Sequence, residues 1–214
     1  MQFFPGNYLK YAFLCFIIAA CTRQNNTQDK SISLDSLPAI DKNAFSSGDQ
    51  SPMDMSYFPP GFPLQKMSGK DSVTTPSARI IYSRPHKKGR PIFGDSEQSL
   101  CRYGKEWRLG ANEATEIEFF KDATIAGTKL PKGRYVLYCI PYADRWTVVF
   151  NKNLHTWGLH MDPKQDIFKT DIPTIRLSPA LEDFTIVFLP ATNGTDMLMA
   201  WDTVKTLLPI SFSE

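Results

Sequence analysis

The amino-acid sequence predicts an all-β protein whose strands form an antiparallel β-sandwich. From Ala78 onward, apolar and polar side chains alternate with a period of two, as in a strand with one buried face. The alternating runs are short, turn residues such as Gly, Pro and Asp separate them, and the 3.6-residue period of a helix is scarce. Such strands are typical of two packed sheets, and a closed barrel is the alternative arrangement.

The first twenty residues have the order of a bacterial export signal. Lys10 and the amino terminus supply positive charge, and residues 11–20 are uncharged. A membrane-spanning helix needs about 20 apolar residues, and Pro5 and Lys10 interrupt the run too early for one. We therefore expect residues 1–20 to be a signal peptide that is removed on export.

The end of this signal, Ile18-Ala19-Ala20-Cys21, resembles the lipobox of bacterial lipoproteins. The resemblance implies that Cys21 becomes the lipidated amino terminus, carrying palmitate or similar chains. One acyl chain holds a protein only marginally, so the several chains of this pathway imply a lasting membrane anchor. The absence of an acidic run after Cys21 is similar to the pattern of outer-membrane lipoproteins that face the periplasm. The alternative is an ordinary cleavage site with Cys21 as a free thiol.

Two further segments precede the predicted sandwich. Residues 21–51 are rich in Gln, Asn, Ser, Asp and Lys, which predicts a flexible tether with a span of about 30 Å. Residues 52–76 include PMDMSYFPPGFP, which combines three aromatic residues with several prolines. Because proline disfavours helices and central strands, we expect an extended flap packed on the domain, with a polyproline-type recognition segment as the alternative.

The sandwich domain is predicted to span residues 77–214. The run at 134–140 is apolar on both faces and indicates an interior strand, whereas the run at 114–120 places Glu116 and Glu118 on one polar face. The predicted strands are 78–83, 114–120, 134–140, 145–151, 168–177, 184–189, 196–201 and one near 209–212.

Several ordered motifs in this region resemble one family. The blocks IIYSRPHKKGRPIFG (80–94) and RYGKEWRLGANEATEIEF (102–119) are followed by KLPKGRYVLYCIP, WTVVFNKNLHTWG and MAWD. Together they closely resemble the domain of unknown function 2911 (DUF2911) of Bacteroidota-type bacteria, over nearly all of residues 51–212. The resemblance implies an exported all-β domain without an established activity, so any function has to be argued from a site.

Charge and cysteine content restrict the function further. Loss of Lys10 with the signal lowers the net charge from +2 to +1, a balance that argues against a nucleic-acid partner. Cys101 and Cys139 remain in a compartment where disulfides persist, and a bridge between them would stabilise the fold by about 3–5 kcal/mol. The alternative is two small buried thiols.

A basic loop at residues 84–90 is the first candidate ligand site. It carries four fixed positive charges, and Arg84, Lys88 and Arg90 are candidates to bind an anionic small ligand through charge-assisted hydrogen bonds. The alternative is a solvated loop in which Arg84 turns inward to pair with an acid.

The second candidate site surrounds a glycine turn. Arg108, Asn112 and Glu113 could converge on one ligand, and Trp157 could stack on an envelope glycan. Arg108 could equally form a buried pair with Glu113, completed by Asn112. Glu113 is a weak catalytic candidate, because glycoside hydrolysis needs a second acid at a fixed separation and no other segment offers an obvious one.

The sequence contains no convincing catalytic or metal-binding motif. The spacing of His155 and His160 fits no usual zinc signature, and a nucleophile elbow is missing. We therefore expect no metal and no cofactor. The favoured function is a noncatalytic ligand-binding or interaction module, anchored in the cell envelope by its lipid. The alternatives are an envelope glycan or peptide hydrolase that uses Asn112 and Glu113, and a purely structural envelope protein.

Overall fold

A computed structural model of the chain describes residues 51–69 and 75–213. The signal peptide at 1–20, the lipidated Cys21 and the tether up to residue 50 lie outside these residues. No helix in the described ranges is both long and apolar enough to cross a membrane. The elements are β1 (Met53–Phe58), α1 (Phe62–Ser68), β2 (Ala78–Ser83), β3 (Phe93–Gly94), β4 (Cys101–Arg102), β5 (Thr115–Phe119), β6 (Ala123–Ile125), β7 (Thr128–Leu130), β8 (Gly133–Pro141), β9 (Arg145–Asn151), β10 (Asp166–Pro173), β11 (Ile175–Ala191) and β12 (Gly194–Phe212).

Two antiparallel sheets make up the domain. The larger has six strands in the order β1-β2-β5-β8-β9-β10, and the smaller has four in the order β11-β12-β6-β7. A two-residue parallel ladder joins β3 and β4. Within the described residues, the six-stranded and the four-stranded sheet each end in edge strands, so neither closes into the barrel that was the alternative arrangement. The predicted antiparallel β-sandwich is confirmed.

The core lies where the inner faces of the two sheets meet. In β5, Ile117 and Phe119 are buried while Glu116 and Glu118 point to the other face, as the alternation predicts. β8 is buried on both faces and lies between β5 and β9, which confirms it as an interior strand. Burying these apolar faces supplies the main stabilisation of the fold, at about 25 cal/mol per Å².

The proline-rich segment differs from the predicted extended flap. Residues 53–58 form edge strand β1, which pairs with β2, and residues 62–68 form helix α1. Pro59 follows the end of the strand, and Pro63 lies in the first turn of the helix, where its missing N–H has no intrahelical partner to lose. The prolines therefore mark the ends of regular elements and do not exclude them.

The strands of the smaller sheet are longer than predicted. β12 runs without a break through the predicted strands at 196–201 and 209–212, and β11 continues from residue 175 to 191. Two register shifts interrupt the pairing of β11 with β12, around Leu181. Such bulges let a strand bend and continue, and they disturb the simple alternation from which boundaries are read.

A covering loop, residues 152–162, packs on the outer face of the six-stranded sheet. Leu154 and Met161 of this loop belong to a second apolar cluster, whose other members come from β8, β9 and the turn before β5. Asn151, at the end of β9, is fully buried and binds the loop through hydrogen bonds. The outer face of the sheet is therefore partly covered, and its remaining part borders a cavity.

Candidate functional site

The Trp157 cavity lies between the outer face of the six-stranded sheet and the covering loop. Its volume is about 450 Å³, within the usual range of ligand pockets. Strands β1, β2, β5 and β8 form its floor, while the turn before β5 and the covering loop form its wall. Its lining comprises Met53, Ile81, Glu113, Ala114, Glu116, Arg134, His155, Thr156 and Trp157.

The titratable side chains of the cavity are two carboxylates, one guanidinium and one imidazole. Glu116 of β5 forms an ion pair with Arg134 of β8, its diagonal neighbour on the outer face, since Val136 is the residue directly opposite Glu116. The backbone N–H of His155 donates to Oε1 of Glu116 over 3.3 Å, which joins the covering loop to the sheet. Glu113 is exposed. Because Arg134 is paired, the fixed charge around the cavity is negative through Glu113.

Arg108 supports Trp157 from behind. Its guanidinium carbon lies 5.7 Å from the centroid of the indole ring, and its Nη1 donates to the Trp157 carbonyl over 2.9 Å. Burial lowers the pKa of Arg108, and the charge of nearby Glu113 opposes this shift. In the described structure Arg108 and Glu113 form no ion pair. The buried Arg108–Glu113 pair, which the sequence offered as the structural alternative, is therefore absent. The guanidinium instead fixes the orientation of the indole.

The backbone around Trp157 is held closely to the sheet. A Cβ at Gly158 would lie 2.9 Å from the Cβ of Ala114 and 3.0 Å from that of Arg108, and its φ is +79°. Only glycine adopts this conformation and approach at little cost. Trp157 is 53% exposed, whereas Trp107, Trp146 and Trp201 are at most 8% exposed. In the described part of the chain, Trp157 is thus the one tryptophan that a solute can reach.

Acids of the smaller sheet contact the basic loop at three successive residues. His86 contacts Asp183, Lys87 contacts Asp202, and the backbone N–H of Lys88 donates to Glu182 over 2.7 Å. The side chain of Arg90 donates to backbone carbonyls of its own loop. The basic loop follows β2 of the larger sheet, and these contacts bind it to β11 and β12 of the smaller sheet.

Arg84 and Asn112 have structural partners near the start of β1. Arg84 lies 3.6 Å from Asp54 in an ion pair, although its side chain remains 38% exposed and is not fully turned inward. Asn112 donates to the backbone carbonyl of Ser51 over 3.2 Å. Of the candidates from the sequence, only Glu113 and Trp157 line the Trp157 cavity, with Arg108 behind them. Arg90 and Arg108 line a second cavity, of about 280 Å³.

Cys101 and Cys139 are both free and buried in the structure, so the disulfide considered as one of two alternatives is not present. Burial raises the pKa of each thiol, and each sulfur is therefore held in its neutral form. They correspond to the alternative of two small buried thiols that pack in the core. Within residues 51–69 and 75–213, no group of three or more His, Cys, Asp or Glu side chains is arranged to hold a metal.

The sequence did not identify Met53, Ile81 or Arg134 as site residues, and it offered His155 only as a possible metal ligand. The alternation in β5 did place Glu116 on the outer face, and it could have marked that face as polar. Nothing in one sequence, however, shows that β1 lies beside β2 and that the covering loop returns over β5. The cavity is a product of this topology.

Comparison with known proteins returned one match. A family model described as "Protein of unknown function (DUF2911)" matches residues 63–210, which is most of the sandwich. Neither the curated proteins nor the solved structures that were searched include a match to the chain.

Proposed function

The chain belongs to the DUF2911 family, and from this premise we propose that it is an exported lipoprotein whose sandwich binds a neutral glycan of the cell envelope in the Trp157 cavity. Its lipid at Cys21 would anchor it, with the domain facing the periplasm from the outer membrane. The proposal describes a noncatalytic binding module.

The exposed face of Trp157 is the observation that carries this proposal. An aromatic ring offers an apolar face to the C–H surface of a sugar and is commonly combined with polar groups that bind hydroxyls. Here the carboxylates of Glu113 and Glu116 can accept from hydroxyl groups, and His155 adds an imidazole. Arg108 holds the ring through its cation–π contact and its bond to the Trp157 carbonyl, and about half of the side chain remains exposed to a ligand.

The charge of the cavity favours a neutral sugar over an anionic ligand. Arg134 is already paired with Glu116, and Glu113 adds an unpaired negative charge. An anion would meet this carboxylate without a free cation to offset it, and like charges at close range cost energy. The anionic ligand expected from the basic loop therefore has little support in this cavity.

Hydrolysis is the second candidate, because Glu113 and Glu116 line the same cavity. Glycosidases need two free carboxyl groups on either side of the bond that is cleaved. Glu113 is exposed and Glu116 is already engaged by Arg134, so the cavity does not offer two free carboxyl groups. Binding without cleavage is better supported.

Replacing Trp157 with alanine is expected to weaken glycan binding by about tenfold. An aromatic contact contributes about 0.5–1.5 kcal/mol, and a loss of about 1.4 kcal/mol raises the dissociation constant tenfold. Binding is measured by titration calorimetry of the purified protein with a panel of neutral mono- and oligosaccharides. In the unaltered chain the emission of Trp157 should also change on binding, because the other three tryptophans are buried.

The matched control is Leu64→Ala, which removes a side chain that is 65% exposed on α1. It should bind sugars like the unaltered chain. Equal affinity in the Trp157→Ala and Leu64→Ala variants would contradict the proposed site. Release of cleaved sugar by the unaltered chain, but not by a Glu113→Gln variant, would favour the hydrolase instead.

Replacing Cys21 with serine is expected to abolish lipid attachment, because the thiol is the group that is acylated. Expression in a bacterial host with a clickable palmitate analogue, followed by separation of membranes, measures both labelling and membrane association. Cys15→Ser is the matched control, since Cys15 lies in the signal that is removed. Undiminished labelling of the Cys21→Ser chain would refute the lipoprotein proposal.

A further inference from the structure

We propose that a separate groove, lined by Lys129, Lys132, Arg134 and Lys152, binds the phosphate group of a phosphate monoester. This basic groove has a volume of about 490 Å³ and lies beside the Trp157 cavity. All charged residues in its lining are cations, and no Asp or Glu is among them. The inference does not depend on glycan binding by the neighbouring cavity.

The four cations come from two segments that the fold brings together. Residues 129–134 hold three of them, with Lys129 in β7, Lys132 in the turn between β7 and β8, and Arg134 in β8. Lys152 follows the last residue of β9, and the antiparallel pairing of β8 with β9 brings it beside the other three. The groove is therefore not the solvated face of one segment alone.

Two of these four charges remain available for a ligand. Lys129 forms an ion pair with Asp122 over 2.9 Å, and Arg134 pairs with Glu116. Lys132 and Lys152 form no ion pair in the described parts of the chain, and the charge of Asp122 acts on Lys132 as well as on Lys129. The groove thus has a surplus of about two positive charges, which matches a phosphate monoester with its charge of about −1.5 to −2 at pH 7.

The backbone that carries the two available lysines is fixed. The hydroxyl of Tyr135 donates to the Pro131 carbonyl over 2.6 Å, and the N–H of Lys132 donates to Asp122 over 2.9 Å. The N–H of Lys152 donates to the Gln165 carbonyl over 3.0 Å. A ligand would therefore order only the lysine side chains, not the chain that holds them.

The size and walls of the groove indicate that the phosphate is attached to a larger group. Leu154 and Ile167 add apolar wall beside the cations, and the volume exceeds what a bare phosphate ion needs. A soluble phosphate ester and the headgroup of a lipid such as phosphatidic acid share this chemistry. The experiment has one arm for each source.

The test uses the Cys21→Ser chain purified after export, so that no acyl chain contributes to vesicle binding. One arm titrates it with inorganic phosphate and glycerol 3-phosphate, and the other sediments it with phosphatidylcholine vesicles with and without phosphatidic acid. We expect binding in at least one arm that weakens with added salt. Lys132→Ala combined with Lys152→Ala should weaken it by about a hundredfold, or about tenfold for each charge-assisted contact.

The matched control combines Lys105→Ala with Lys169→Ala, which removes the same charge from exposed positions outside the groove. It should retain the affinity of the parent chain, and so should Trp157→Ala. Binding of the soluble ester alone identifies a free phosphate ester, and binding of the vesicles alone identifies a lipid headgroup. The proposal would be overturned if the chain bound in neither arm. It would also be overturned if the two double variants lost equal amounts of affinity.

Discussion

Replacing Trp146 with alanine is expected to lower the free energy of unfolding by about 3–5 kcal/mol. Trp146 is fully buried in β9, and its ring lies 5.5 Å from that of Trp107 and 5.2 Å from that of Phe93. Alanine would remove these contacts and leave a cavity between the sheets. Since domains are stable by only about 5–15 kcal/mol, this is a large share of the total. Urea unfolding followed by circular dichroism measures it.

The control for this prediction is Trp157→Ala, which removes the same side chain from an exposed position. The Trp157→Ala variant should lose about 1 kcal/mol or less of unfolding free energy, which is the usual contribution of an exposed cation–π contact. If both variants lost similar amounts of unfolding free energy, the prediction that the buried Trp146 stabilises the core would be wrong.

Replacing Asn151 with leucine is expected to cost about 3–5 kcal/mol and to release the covering loop. Its Nδ2 donates to the Asp162 carbonyl over 2.8 Å and to Asp166 over 2.7 Å, and its Oδ1 accepts from the N–H of Asn153 over 2.8 Å. Leucine leaves these groups without their partner, and each unsatisfied buried group costs about 1–3 kcal/mol.

Hydrogen exchange measures the second part of this prediction directly. The amides of residues 152–162 should exchange faster in the Asn151→Leu chain, and glycan binding should fall with them because Trp157 belongs to this loop. Asn193→Leu, at an exposed turn, should change neither quantity. Unaltered protection of the loop in the Asn151→Leu chain would exclude Asn151 as its anchor.

The sheets were predictable because burial leaves a period of two in the sequence. Ile117 and Phe119 alternate with Glu116 and Glu118, and the structure buries the first two as expected. The β6–β7 hairpin was not predicted, since each strand has only three residues. Strands this short carry too few alternations to be separated from turns.

The site was predictable only in part, because its residues meet through long-range pairing. Trp157 and Glu113 were candidates from their residue types, but Met53 reaches the same cavity through the pairing of β1 with β2. The cations of the basic loop were evident, whereas Asp202, which pairs with Lys87, lies in the distant hairpin of β11 and β12. A single sequence does not report which charges will be neutralised.

Arg134 lines both the Trp157 cavity and the basic groove, and it pairs with Glu116 on the cavity side. A phosphate in the groove would compete with Glu116 for this guanidinium, and the freed carboxylate would then face the glycan. The two ligands would therefore be thermodynamically linked through one side chain. Linkage is reciprocal, so the factor by which the phosphate changes the affinity for the glycan equals the factor by which the glycan changes that for the phosphate.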